Sequence, residues 1–151
     1  MKLIGILDAV SFPIGYRVAF ITNFMREPIL RWMERELGII RPELTVLMCV
    51  SFSQDVHARD ICEITEQPSN TVSRAVASLE KKGFISRTRD QVDTRRQVLN
   101  ITVAGQEMHD IVIERFQSAE TRLLETLNAK ERAELLNLLD KVSRGVGDWK
   151  S

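Results

Sequence analysis

Two cysteines in 151 residues, Cys49 and Cys62, share no repeated spacing and cannot build a disulfide framework. That excludes a disulfide-stapled secreted domain and fits a reducing, cytoplasmic setting. Both lie on predicted helices, where a thiol packs as a small hydrophobe. A redox-sensing alternative would need an exposed thiol with a lowered pKa. Nowhere do about 18 apolar residues run together, so no bilayer-spanning helix is expected. The apolar start MKLIGILDAV is broken by Asp8 and no A-x-A-like cleavage site follows it. The two histidines, His57 and His109, lie far apart and carry no local metal-ligand spacing, so neither a metal nor a cofactor is expected. No Ser/His/Asp or Cys/His arrangement and no glycine-rich phosphate loop occurs, so the sequence offers no catalytic residues and does not read as an enzyme. Net charge is lacking too: 21 basic residues balance 21 acidic ones.

What is present is the composition of one soluble globular chain, 44% apolar and 28% charged, long enough for a real core. Its charge is unevenly spread. From Ser69 to Arg96 seven basic residues face three acidic ones, whereas from Gly105 to Asp140 eight acids face four bases. A polyanion responds to such a local field rather than to the global sum. The cationic segment ends in RTRDQVDTRR, Arg87 to Arg96, with four arginines and two aspartates in ten residues.

Helical periodicity dominates the chain. In the first third Ile14, Ile21, Phe24 and Pro28 share a stripe, flanked by Val18, Met25, Trp32 and Met33. Pro28 is expected to kink or interrupt this helix, and Gly38 to end it. A second helix runs from about Pro42 to Val50. Asp55 is positioned to cap a third through about Ile64. After the break TEQP, Ser69 is positioned to cap a fourth that runs to Lys82 and stops at Gly83. In that fourth helix Val72, Ala75, Val76 and Leu79 form the inward stripe. Asn70, Thr71, Ser73, Arg74, Ser78 and Lys81 lie opposite.

Beyond Gly83, FISRTR and RQVLNIT read as two strands of a hairpin with the charged run at its tip. Met108, Ile111, Val112, Phe116, Ala119, Leu123 and Leu127 mark a helix of more than 20 residues. Asn128 and Glu131 form a capping-box pattern ahead of a final helix carrying Leu135, Leu136, Leu139 and Val142. The fold class is therefore mainly α with a small β-hairpin: a helix-turn-helix followed by a wing.

That pairing suits duplex DNA. A helix with short polar side chains and an arginine fits the major groove, where Asn prefers adenine and Arg prefers guanine. A hairpin tip bearing Arg89, Arg95 and Arg96 can reach the adjacent minor groove or its phosphates. Asp90 or Asp93 can pair with a neighbouring arginine and set its direction. The bland reading of each element, a solvated helix face and a solvated loop, weakens when the two occur together.

SNTVSRAVASLEKKGFISR, then DTRRQVLNIT and AG, resembles the core of the MarR family of transcriptional regulators. Its D-x-R positions here are Asp93 and Arg95, its strand end Ile101–Thr102 and its following glycine Gly105. LGIIRPELTVL, from Leu37 to Leu47, resembles the family's segment ahead of the helix-turn-helix. The resemblance implies a homodimer whose dimerisation helices lie in 1–40 and 104–151, around a winged-helix DNA-binding region at 41–103. It implies a pseudo-palindromic operator, and most often repression relieved by a small ligand such as an aromatic acid.

The DNA-contacting set it suggests is Ser69, Asn70, Thr71, Ser73, Arg74, Lys81, Arg89, Asp93, Arg95 and Arg96. Arg17, on an apolar stripe beside Phe12, Tyr16 and Phe20, is a candidate for a ligand carboxylate. The plainer reading pairs it with an acid of its own dimer. A winged helix turned into a protein-interaction module is the competing function.

Overall fold

The computed structural model describes residues 2–146, with side chains from residue 4 onward. Residues 147–151 of the expected C-terminal dimerisation segment, and Met1, lie outside the described residues. A 3-10 turn, Lys2–Gly5, leads into α1 (Ile6–Ala9) and α2 (Pro13–Leu37). Then come α3 (Arg41–Phe52), α4 (Ala58–Thr65), α5 (Ser69–Lys81), β1 (Ile85–Arg89), β2 (Gln97–Ile101), α6 (Val103–Leu123) and α7 (Ala129–Gly145). Contacts divide the chain into two compact units that meet in sequence after Phe116.

In the first unit the core is one cluster. Leu30 and Met33 of α2, Leu44, Val46, Leu47 and Val50 of α3, Ile61 of α4, Val72, Ala75, Val76 and Leu79 of α5, Ile85, Leu99 and Val112 all enter it. The stripe read from the sequence of α5 is therefore the one that is buried. Each buried aliphatic side chain contributes on the order of 1.5–3 kcal/mol, so the helix is oriented by apolar packing and its polar face is left outside. Helix α5 packs on α3, α4 and β1.

The hairpin is antiparallel, pairing Ile85 with Ile101 and Arg89 with Gln97. A further single bridge, Val56 to Leu99, adds the approach to α4 as a third edge of the wing. The Leu99 N–H donates to the Val56 carbonyl at 2.8 Å. Gly38 (φ 64°) ends α2, and Gly83 (φ 77°) turns the chain from α5 into β1; both lie in the left-handed region that favours glycine.

Several local expectations are corrected. Pro28 does not interrupt α2, which continues as one helix of 25 residues. Asp55 does not cap α4: its φ of 58° is left-handed, whereas an N-cap is extended. The cap is His57, whose N–H donates to the Asp60 carboxylate at 2.8 Å. Ser69 is the first helical residue of α5, with Pro68 at the cap position, and the helix ends at Lys81. Leu127 falls beyond the end of α6.

In the second unit α7 opens with the expected box. The Asn128 side chain accepts from Glu131 N–H at 3.0 Å and Glu131 accepts from Asn128 N–H at 2.9 Å. Leu135, Leu136, Leu138, Leu139 and Val142 are all exposed along this helix. In the first unit Ile14, Val18, Ile21 and Phe24 are likewise exposed on α2.

Candidate nucleic-acid interface

Burying Val72, Ala75, Val76 and Leu79 leaves Ser69, Asn70, Ser73, Arg74 and Lys81 exposed on α5, with Thr71 half-buried beside them. Asn70, Ser73, Arg74 and Lys81 follow the i, i+3, i+4, i+11 spacing of a single helical face. The Asn70 side-chain oxygen accepts from Thr71 N–H at 2.9 Å, which leaves its NH2 to donate outward. Among the described residues neither Arg74 nor Lys81 has an ion-pair partner. Arg74 also lines a cleft of about 360 Å³ with Thr71, Ala75, Ser78 and residues from the start of α3.

Two ion pairs fix α5 from either side. The Lys82 ammonium donates to both oxygens of Glu43, at 2.7 and 2.9 Å, and to the Gly38 carbonyl at 2.7 Å. Burial pushes the Glu43 carboxyl up, but hydrogen bonds from Lys82, Ser78 and the Ile40 N–H outweigh that and hold it below its ordinary range. On the wing side Arg87 of β1 pairs with Glu80 of α5 at 2.9 Å and reaches Gln97 of β2 at 3.3 Å.

The wing tip is folded by its two aspartates. Asp90 accepts from the N–H groups of Val92 and Asp93, at 2.7 and 3.1 Å, while its own N–H donates to the Arg96 carbonyl. Asp93 accepts from the Arg95 N–H at 3.1 Å, and its carboxylate meets the Arg96 guanidinium at 3.4 Å. The side chain that Asp93 orients is thus Arg96; to Arg95 it bonds through the backbone. Arg89 and Arg95 have no ion-pair partner among the described residues, and Arg89, Asp93, Arg95 and Arg96 are all exposed.

The other oxygen of Asp90 meets His57 Nε2 at 2.8 Å, and His57 Nδ1 lies 3.0 Å from Asp60. Asp90 raises the imidazole pKa above its ordinary value; burial opposes this, and Asp60 assists it. Asp90 is in turn held low, first by the Asp93 and Val92 N–H groups and then by His57. Sequence reasoning weighed His57 only as a metal ligand and Arg87 only as one charge of the basic run, and gave neither a place in the interface. One is remote in sequence from the residue it holds, and the other lies in a charged run that reads as solvated.

The candidate ligand residues lie apart from this surface in sequence and in the chain's elements. The Arg17 guanidinium donates to the Leu7 carbonyl at 2.8 Å, to the Pro13 carbonyl at 3.2 Å and to Asp8 at 3.3 Å, tying α1 to the start of α2. Phe12 and Tyr16 are in edge-to-face contact at 6.0 Å, and Phe20 stacks on Phe24 at 4.7 Å. Both cysteines are half-buried, and burial pushes the Cys49 thiol up, away from the thiolate. No group of three or more His, Cys, Asp or Glu side chains that could hold a metal ion occurs among the described residues. No described helix is long and apolar enough to cross a membrane.

The MarR family model matches residues 37–96, from the end of α2 through the wing tip. The chain is 24% identical over 129 residues to the HTH-type transcriptional regulator BilQ of Clostridium symbiosum, covering 83% of this chain and 90% of that one. Its fold is that of a mutant MarR from E. coli solved in complex with operator DNA, with TM-score 0.70 at 20% identity over 88% of this chain and 98% of that one. It is also that of CouR from Rhodococcus jostii bound to p-coumaroyl-CoA, with TM-score 0.75 at 18% identity over 93% and 95%.

Proposed function

We propose that this chain, which belongs to the MarR family, is a homodimeric transcriptional regulator that binds duplex DNA, with α5 in the major groove and the hairpin tip on the flanking backbone. The observation that carries this reading is on α5 itself. Its apolar stripe is spent on the core, and its outward face offers Asn70, Ser73, Arg74 and Lys81 next to a folded basic tip. Arg74 and Asn70 are the base-reading side chains; Ser69, Thr71, Ser73 and Lys81 serve the backbone and neighbouring edges. Arg89, Arg95 and Arg96 serve the wing, with Asp93 shaping it.

Exposed apolar residues on α2 and, separately, on α7 support a reading in which a second copy covers them, with 1–40 and 104–151 as dimerisation regions and 41–103 as the reading head. Two copies require a pseudo-palindromic site with half-sites about 10 base pairs apart, centre to centre. Occupying a promoter there represses it, in the cytoplasm where the DNA lies. A small anionic effector releases it, as the bound p-coumaroyl-CoA of CouR supports. If Arg17 receives such an anion, the anion replaces Asp8, which is 82% exposed and easily displaced.

Selection of bound duplexes from a randomised pool tests the reading. Recovery of an inverted repeat with that spacing is expected. Recovery of no enriched sequence at low salt would overturn it, in favour of a winged helix that binds protein.

A further inference from the structure

His57 stands at the junction of α4 and the wing, on the residue next to the Val56–Leu99 bridge. Both of its ring nitrogens face carboxylates, Asp60 at 3.0 Å and Asp90 at 2.8 Å, and the three side chains are only 16%, 44% and 18% exposed. A neutral imidazole has one N–H and one lone pair, so it satisfies one carboxylate and turns a lone pair toward the other. Only the imidazolium donates to both. The Asp90 carboxylate has a second task, since its other oxygen folds the tip through Val92 and Asp93. One side chain therefore both shapes the arginine-bearing tip and anchors it to the helix-turn-helix.

We propose that His57 is the positioning residue of the wing: its imidazolium clamps Asp90 to Asp60, and operator affinity falls as that proton is lost. This rests on the DNA-binding reading above. The surrounding charges are mixed. Arg59 joins Asp60 from α4, Arg87 comes from β1, and Arg95 and Arg96 join Asp90 from the tip, around a cleft of about 350 Å³. Val76 of α5 and Leu99 of β2 contribute only apolar floor. Burial disfavours protonation, but the two carboxylates are in direct contact and prevail, Asp90 first, in keeping with the raised imidazole pKa.

The test has two arms on the full chain. In the first, NMR follows the His57 ring and the backbone amides of Val92, Asp93 and Leu99 from about pH 5.5 to 8.5. His57 is expected to titrate above its ordinary value of 6.5, with the wing amides shifting at the same midpoint. Asp90→Asn and Asp60→Asn should each lower that midpoint, and His57→Gln should abolish the amide transition. A His57 midpoint at or below 6.5, or wing amides that ignore it, would overturn the clamp whatever the chain does to DNA.

In the second arm, anisotropy at constant ionic strength uses the labelled duplex recovered from the randomised pool. Wild-type affinity is expected to fall about three- to fivefold between about pH 6 and 8, the effect of one partly exposed ion pair, and His57→Gln should be flat at the weaker level. Asp90→Asn separates clamping from charge. It removes a negative charge, so simple attraction predicts tighter binding, whereas loss of the clamp predicts weaker binding at pH 6. A flat wild-type profile, an unchanged slope in His57→Gln or tighter binding by Asp90→Asn would overturn the proposal while leaving DNA binding intact. A pool with no enriched duplex would instead overturn the DNA reading and the affinity claim with it, and the NMR arm would still decide the clamp.

Discussion

Lys82 and Glu43 are 39 positions apart in sequence, yet the Lys82 ammonium lies 2.7 Å from Glu43 Oε1. The same ammonium reaches the Gly38 carbonyl, so a single cation just past the end of α5 holds the cap of α2 and the first turn of α3. Glu43 in turn accepts from the Ile40 N–H at 2.9 Å. Helix α5 is thereby tied to the end of α2 and the start of α3.

Lys82→Met should leave a carboxylate, 2% exposed, without its counter-ion. The loss should be about 2–3 kcal/mol, below the roughly 3–5 of a fully buried pair because Lys82 is a third exposed. Removing both charges, as in Glu43→Leu with Lys82→Met, should restore much of that. Urea unfolding of the two single variants and the double variant measures it; strictly additive losses would show that the pair is not coupled.

The acid limit of stability follows from the depressed carboxyls. Hydrogen bonds and counter-ions hold Glu43, Asp60 and Asp90 below their ordinary values. Each therefore contributes stability that is present above its unfolded pKa and is lost as pH falls through its folded one. His57 has the opposite sign, because its folded pKa is raised. Its contribution is complete below about 6.5 and is lost as pH rises through the folded value. The urea midpoint should be highest between roughly pH 5 and 6.5, dropping steeply below about pH 4 and more gently above neutrality. His57→Gln should flatten the alkaline side and, because His57 also helps hold Asp60 and Asp90 low, soften part of the acid drop.

Gly105 sits in the first turn of α6, against the end of α5 and the start of β1. A Cβ built there would fall on the Phe84 carbonyl and within 3.0 Å of the Ile101 side chain. The first of these neighbours is backbone, so it cannot step aside. Gly105→Ala should cost at least about 1–3 kcal/mol, the range for overpacking a filled site, and should broaden amide signals of β1 and β2. Unchanged thermal unfolding would contradict it.

Phe24 is 57% exposed on α2 and Leu139 44% exposed on α7. Burying such residues against a second copy is worth on the order of 1.5–3 kcal/mol each, so Phe24→Glu or Leu139→Glu should shift the monomer–dimer equilibrium by at least about tenfold. Sedimentation equilibrium reads this directly. A chain that is monomeric before any substitution would remove the basis for a two-half-site operator.

Much of the fold was legible because it is periodic. The inward stripe of α5 is spelled out in Val72, Ala75, Val76 and Leu79, the two β-favouring stretches of the hairpin flank its charged tip, and Asn128 with Glu131 marks α7 unaided. Other features have no such signature. The Val56–Leu99 bridge is a single pair and leaves no pattern. His57 meets Asp90 across 33 residues, and Lys82 meets Glu43 across 39. The Asp55 cap failed because residue type alone does not reveal a left-handed φ. Pro28 lies within a long helix whose Leu30 and Met33 enter the core cluster, and that tertiary burial offsets one missing hydrogen bond. The aspartates of the tip were legible as organisers of arginine, and Asp93 does pair with Arg96, but Asp90 pairs instead with His57, a partner the charged run itself does not reveal.

The most direct measurement is the anisotropy of a labelled duplex carrying the selected inverted repeat, titrated with wild type and Arg74→Ala at two salt concentrations. Wild-type binding should be tight and should weaken steeply with salt, since several Lys and Arg side chains displace counterions. Arg74→Ala should lose about 1–3 kcal/mol on that duplex and little on a scrambled one. Equal affinity of both proteins for both duplexes would contradict base reading by α5.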